Sequence, residues 1–275
     1  VVEEGRVVEL RLPGNNVQGS LNEGRVDSAL ARLTALRVLD LSNNGLTGGI
    51  PRRIGTLRFL ETLNLRQNRL EGSIREACGL VNLKNLDIAY NQFRDSLSGI
   101  LCCFVNLERA DVSYNRIYGS IPGCLTSLTR LVYLDASNNE LTDSLPSGLS
   151  VMTQLQHLSV RRNRLTGSLP AAWGGVAADA RVAVSGGDPK GNSMQTALTG
   201  LQVLDVGSNG LTGVIPPTFG NLRSLRSLSL DSNRLGGVVP EELIRIGRLE
   251  RLSLGRNGFS DAPDLSRLAR LTVLG

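Results

Sequence analysis

Leucines alternate with polar residues in short bursts, and the bursts recur along the chain at a nearly constant interval. Leu39-Asp40-Leu41-Ser42-Asn43-Asn44-Gly45-Leu46-Thr47-Gly48-Gly49-Ile50-Pro51 shows one unit, which reads LxLxxNxLxGxIP. Leu204 to Pro216 repeats it, as does Leu158 to Pro170 with Val160 at the second leucine. The alternation at Leu39 and Leu41 is strand periodicity, with the leucines inward and Asp40 and Ser42 outward. Gly and Pro at fixed offsets exclude a leucine-rich helical protein, because both break helix interiors. One unit cannot bury its apolar face alone, so successive units must stack. The predicted fold class is an α/β repeat solenoid of about eleven coils of 22–24 residues. Strands of neighbouring coils then lie about 4.8 Å apart as a parallel sheet lining the concave face.

An asparagine keeps the frame. Asn15, Asn44, Asn68, Asn91, Asn115, Asn139, Asn163, Asn209, Asn233 and Asn257 follow one another mostly at steps of 24. After each strand the backbone turns sharply and leaves amides and carbonyls without strand partners. A buried Asn offers an acceptor and two donors, and is expected to satisfy the backbone of its own coil and of the next. Between Asn163 and Asn209 the step is 46. A 22-residue insertion after Pro170 and a decayed coil over about 171–200 both account for it. The frame favours the decayed coil: Gly187 stands at the Asn position, with apolar Val182 and Val184 between polar Arg181 and Ser185. Pro189 and Ser193 at inward positions make that coil a weak one. The turn-rich stretch from Ser185 to Asn192 is expected to bulge beside the concave face.

This frame resembles the leucine-rich repeat family in its plant-type form. The LxGxIP half stands intact at Leu46–Pro51 and Leu211–Pro216, and at Leu165–Pro170 with Leu169 for Ile. Ile117–Pro122 differs only in its first residue, and the resemblance runs over residues 7–274. It is similar to the repeat region of receptor-like kinases, receptor-like proteins and polygalacturonase-inhibiting proteins. The resemblance implies one domain over 1–275 that binds a peptide or protein on its concave face, outside the cell or at its surface. Such relatives begin with a cysteine-paired cap that is not found here, so the chain reads as an uncapped fragment. The alternative reading is a cytoplasmic repeat scaffold that docks partner proteins.

Composition modifies this reading only slightly. No apolar run of 18 residues occurs, so no membrane span is expected within the chain. The formal net charge is +5, but the arginines are spread without a dense run, which argues against nucleic acid as a partner. Lys84 and Lys190 are the only lysines. Cys78, Cys102, Cys103 and Cys124 form no metal-binding pattern and fall in the back of consecutive coils. Cys78 stands in the slot of Ile54, which suits a buried free thiol. Neighbouring coils also bring Cys102 or Cys103 within reach of Cys78 or Cys124, and bridges there would mean an oxidising compartment. No Asn-x-Ser/Thr sequon is present. His157 is the only histidine, and neither a catalytic set nor a phosphate-cradling motif is placed by the frame. The expectation is a binding protein, not an enzyme, with no cofactor and no metal.

The ladder sorts the outward residues. Side chains six, four and two before each Asn face the open surface, and the residue just before it lies at the rim. The column four before the Asn holds Asp40, Asp87, Asp111, Asp135 and Asp205, which reads as scaffold. Tyr90 and Tyr114 stand at the rim of successive coils, Tyr133 and His157 share a column, and Arg161 faces out with Arg162 at the rim. Arg181 follows one coil later in the frame. Tyr supplies contact area at low entropy cost and Arg supplies forked donors for carboxylates. These residues are the candidate ligand face, and the expected ligand is an acidic or carboxylate-terminated peptide. Arg162-Asn163-Arg164 matches the Arg-x-Arg letters of some peptide receptors, with Asn163 as the ladder residue. Arg66, Arg109, Arg251 and Arg256 add positive charge to the face, offset centrally by Asp87, Asp111 and Asp135.

Overall fold

The computed structural model describes residues 1–175 and 197–275. They form two compact units, Val1–Thr142 and Asp143–Gly275. The first carries six parallel strands on its open face: β1 (Glu9–Arg11), β2 (Val38–Asp40), β3 (Thr62–Asn64), β4 (Asn85–Asp87), β5 (Arg109–Asp111) and β6 (Tyr133–Asp135). Each pairs with the next, and equivalent residues face one another: Leu39 with Leu63, Leu63 with Leu86, Leu86 with Ala110, Ala110 with Leu134. The second unit carries β7 (His157–Ser159), β8 (Val203–Asp205), β9 (Ser227–Ser229), β10 (Arg251–Ser253) and β11 (Val273–Leu274) in the same parallel register.

The period-2 pattern produces this register. The middle residue of every strand from β2 to β10 is at most 2% exposed, while its two neighbours lean outward. A slip of one residue would turn the whole leucine column to water. The LxGxIP half forms further parallel strands on one flank, such as Gly45–Gly48 against Arg69–Gly72. The proline that ends the motif caps a short 3-10 turn on the back, as Pro122 does for Gly123–Ser127 and Pro240 for Glu241–Arg245. Its fixed φ suits that position. Two α-helices, Gly24–Ala31 and Leu97–Leu101, replace the 3-10 turn in two coils of the first unit.

The ladder works as expected, with one correction: the neighbour it ties is the preceding coil. Asn68 Nδ2 donates to Leu65 O in its own coil (3.1 Å) and to Leu41 O in the coil before (3.0 Å), while its Oδ1 accepts from Leu46 N (3.1 Å). Asn91, Asn115, Asn139, Asn209, Asn233 and Asn257 repeat these three contacts. Asn44 differs at its acceptor end, where Oδ1 takes both Asn15 N (3.1 Å) and Val17 N (2.9 Å). Asn163 donates to Val160 O and Arg161 O.

The decayed-coil reading is overturned. β7 pairs directly with β8, Leu158 facing Leu204. Asn209 reaches Val160 O at 3.0 Å and accepts from Leu165 N at 3.0 Å, as a rung one coil further on does. On the back, Thr218 Oγ1 donates to Ala171 O (2.7 Å) and Asn221 Nδ2 to Gly174 O (3.0 Å). The coils before and after the long step therefore touch on the sheet, the ladder and the back, which leaves no room for another coil. The chain leaves at Gly175 and resumes at Ala197, whose Cβ would lie 3.3 Å from a Cβ placed on Gly175. Gly187, Val182, Val184 and Arg181 lie outside the described residues.

All four cysteines are paired. Cys78 bonds Cys103 and Cys102 bonds Cys124, tying three successive coils across the back of the first unit. The buried-thiol reading of Cys78 gives way: Ala77, fully buried, points inward in its place.

Candidate functional site

The turn after each strand shapes the open face. The residue before the ladder Asn is left-handed in coil after coil: Asn43, Gln67, Tyr90, Tyr114, Asn138, Arg162, Ser208, Ser232 and Arg256 all have φ between 51° and 57°. Asn tolerates this region, while a larger side chain costs about 1–2 kcal/mol there. Tyr90 and Tyr114 are therefore held in a backbone state that suits a smaller residue. Their rings stack, with centroids 4.1 Å apart and planes at 12°. The Arg66 guanidinium covers the Tyr90 ring at 4.8 Å, and the Arg109 guanidinium covers Tyr133 at 4.3 Å. Tyr90 and Tyr114 remain about 40% exposed. Tyr133 is half-buried, and burial together with Asp135 and Asp111 pushes its phenol up to about 12.

The aspartate column is scaffold, with a definite task. One carboxylate oxygen accepts the amide two residues on, as in Asp40 to Ser42 N (3.0 Å), Asp87 to Ala89 N (3.0 Å), Asp111 to Ser113 N (3.1 Å), Asp135 to Ser137 N (2.8 Å) and Asp205 to Gly207 N (3.0 Å). Asn64 does the same for Arg66 N (3.1 Å). Each closes the turn that starts the left-handed residue. The second oxygen remains for other work. Among the described residues no three His, Cys, Asp or Glu side chains group as a metal site.

Two arginines reach over a small residue to aspartates further along, Arg66 to the second oxygens of the column and Arg161 chiefly to Asp231 outside it. Arg66 passes Ala89 to reach Asp111 Oδ2 at 2.9 Å, with Asp87 Oδ2 at 3.6 Å. In the second unit Arg161 passes Gly207 to grip Asp231 with both terminal nitrogens, each at 2.8 Å, and Asp205 at 3.4 Å. Any Cβ on Gly207 would collide with the Arg161 guanidinium. The hydrogen bonds from Arg161 hold Asp231 below the usual carboxylate range. The two terminal nitrogens expected to meet a ligand carboxylate at Arg161 are here bonded to Asp231. Sequence reasoning missed Asp231 and Gly207. The signal was present as a glycine between an arginine and an aspartate in the same outward columns.

In the first unit Tyr90 and Tyr114 thus stack with Arg66, and Tyr133 stacks with Arg109; the candidate set lacked both arginines. His157, Arg161 and Arg162 belong to the second unit: His157 is half-buried on β7 and Arg162 is exposed at the rim. In the first unit a hollow of about 200 Å³ opens over β3 and β4. Thr62, Asn64, Asn85 and Asp87 form its floor, and the Arg109–Tyr133 stack forms a wall.

Stacked coils, an asparagine ladder and a patterned open face define a repeat solenoid whose outward columns are free to vary. The chain belongs to the leucine-rich repeat family. Patterns described as Leucine Rich Repeat match residues 35–57, 59–80, 130–152 and 154–176, and a Leucine rich repeat pattern matches 199–259; together they take in more than half of the chain. The chain is 32% identical over 96 residues to the calmodulin-binding receptor kinase CaMRLK of Arabidopsis thaliana, a stretch covering 34% of this chain and 14% of the kinase. It is 42% identical over 69 residues to Receptor-like protein 32 of the same plant, covering 25% and 8% of the two. Among solved structures, the plant peptide hormone receptor RGFR1 in complex with RGF2 superposes with a TM-score of 0.78 at 30% identity, over 92% of this chain and 36% of that one. The matched stretches are therefore small parts of longer proteins.

Proposed function

We propose that this chain is a ligand-recognition region from the ectodomain of a receptor-like protein or receptor-like kinase, and that it binds an extended peptide or protein segment on its open face. The observation that carries the reading is the Arg66–Tyr90–Tyr114 stack beside the Arg109–Tyr133 stack. Tyr and Arg dominate binding hot spots, and here the exposed rings stand at rim positions where the other coils carry Asn, Gln, Ser or Arg. The likeness to a plant peptide hormone receptor solved in complex with RGF2 supports recognition of a peptide. An extracellular setting is supported by the pairing of every cysteine, since such bridges do not persist in a reducing cytosol; this favours the receptor reading over the cytoplasmic scaffold. The role is recognition, not catalysis.

The test is selection of binders from a displayed library of extended peptides. Replacement of Tyr114 or Tyr133 by Ala is expected to weaken selected peptides about thirtyfold, the effect of losing a hot spot of about 2 kcal/mol. Selected peptides that bind both variants with unchanged Kd would exclude the face.

A further inference from the structure

The hollow over β3 and β4 has a chemistry that the expected acidic ligand does not match. Along the outward columns of β2 to β6 and their turns stand four carboxylates, Asp40, Asp87, Asp111 and Asp135, against two guanidiniums, Arg66 and Arg109. On β1, Glu9 and Arg11 pair with each other at 3.1 Å. The face is thus acidic on a chain whose formal charge is +5. Inside the hollow the imbalance centres on Asp87. Its Oδ1 is spent on Ala89 N at 3.0 Å. Its Oδ2 has only the 3.6 Å approach of Arg66, whose guanidinium sits closer to Asp111, at 2.9 Å. Two carboxylates thus share one cation, and Asp87 holds the smaller share.

We propose that this hollow seats a basic side chain, lysine or arginine, of an extended peptide, with the Asp87 carboxylate as counter-ion. The inference rests on the proposed recognition of a peptide by this face and names the residue class that it selects. The alkyl stem lies along the Arg109–Tyr133 wall. The charged end reaches Asp87 Oδ2, and Asn64, Asn85 and Thr62 offer further acceptors on the floor. A long basic side chain fits such a place because its stem is apolar and its end needs an anion.

The groups facing Asp87 set its proton affinity. Arg66 comes from the turn after β3, Asp111 and Arg109 from β5, Tyr133 and Asp135 from β6, and Tyr90 from its own turn. Burial raises Asp87 to about 6, the Asp111 charge adds to this, and the Ala89 amide and Arg66 oppose it. A ligand cation and a proton therefore exclude each other near pH 6. Affinity for a basic peptide is expected to be near its full value at pH 7.5 and about tenfold weaker at pH 5.

The probe is an acetylated and amidated Gly-Gly-Lys-Gly-Gly, with norleucine in place of lysine as the uncharged control. NMR shifts of the Asp87 carboxyl carbon and the Tyr133 ring are followed through peptide titrations at pH 7.5 and pH 5. The lysine peptide is expected to move both signals, with the tenfold loss at low pH, and the norleucine peptide to move neither. Asp87→Asn should weaken the lysine peptide at pH 7.5 and abolish the pH dependence. Arg66→Gln, which removes the opposing cation, should shift the midpoint upward in pH, an effect that a purely structural Asp87 would not give. Equal shifts from both peptides, no response of Asp87 at pH 7.5, or an unchanged pH profile in Asp87→Asn would overturn the inference. If displayed peptides bind through Tyr114 while the lysine probe leaves Asp87 unmoved, this inference fails and the recognition role stands.

Discussion

Asn115→Leu replaces a ladder residue by an apolar one of nearly the same shape, and the hydrogen bonds set its cost. The side chain gives up three donations, to Ile88 O (3.0 Å), Val112 O (3.2 Å) and Ser113 O (3.0 Å). None of these carbonyls is left bare. Ile88 O keeps Asn91 Nδ2, Val112 O keeps Asn139 Nδ2, and Ser113 O keeps Tyr90 N. The acceptor end differs. Phe93 N donates to Asn115 Oδ1 at 3.0 Å, and Phe93 is fully buried. The leucine strands that amide, at about 1–3 kcal/mol. Weaker carbonyls add about 0.5–1 kcal/mol, and the added apolar contact returns part of it. The expected net loss is about 2–3 kcal/mol. Urea unfolding followed by circular dichroism would read it as a lower midpoint at unchanged slope, and hydrogen exchange would show lost protection at the Phe93 amide beyond the global change. A loss below about 0.5 kcal/mol, or unchanged relative protection at Phe93, would refute the assignment of the cost to that amide.

Other expectations follow from the same contacts. Gly207→Val drives a side chain into the Arg161 guanidinium, so it should cost about 1–3 kcal/mol by thermal melting, and much less when Arg161→Ala is already present. Reducing the two bridges, which close sequence separations of 25 and 22 residues, should cost about 3 kcal/mol each in the chain-entropy account; a melt with and without reductant reads this in the first unit. Asp87 is raised in the folded state, so its contribution is present below the unfolded value and is lost as pH rises through about 6. After discounting for its partial exposure, stability from this group should fall by on the order of 1 kcal/mol between pH 4 and pH 7. Asp87→Asn should remove that slope.

The fold was legible because one period runs through the chain, and Leu39, Leu63 and Leu86 could be assigned inward from it alone. The ladder was legible too, except for its direction: a side chain that serves two coils gives no hint in sequence of which neighbour it reaches. The long step misled because Val182 and Val184 satisfy the strand pattern. Pro189 and Ser193, at inward positions of the frame, were the counter-signal. The rim tyrosines were visible as residues but not as a stacked pair in left-handed backbone. Arg161 looked like a free donor because Asp231, its partner, lies 70 residues away and two coils along.

The proposed recognition takes place on the open face of the first unit. Hydrogen-exchange footprinting of the chain with a peptide selected from the displayed library tests it most directly. Protection is expected over the turns at Asp87–Asn91, Asp111–Asn115 and Tyr133–Asn139, with the back of the coils unchanged. Protection confined to Leu97–Leu101 and Gly123–Ser127 on the back would contradict it.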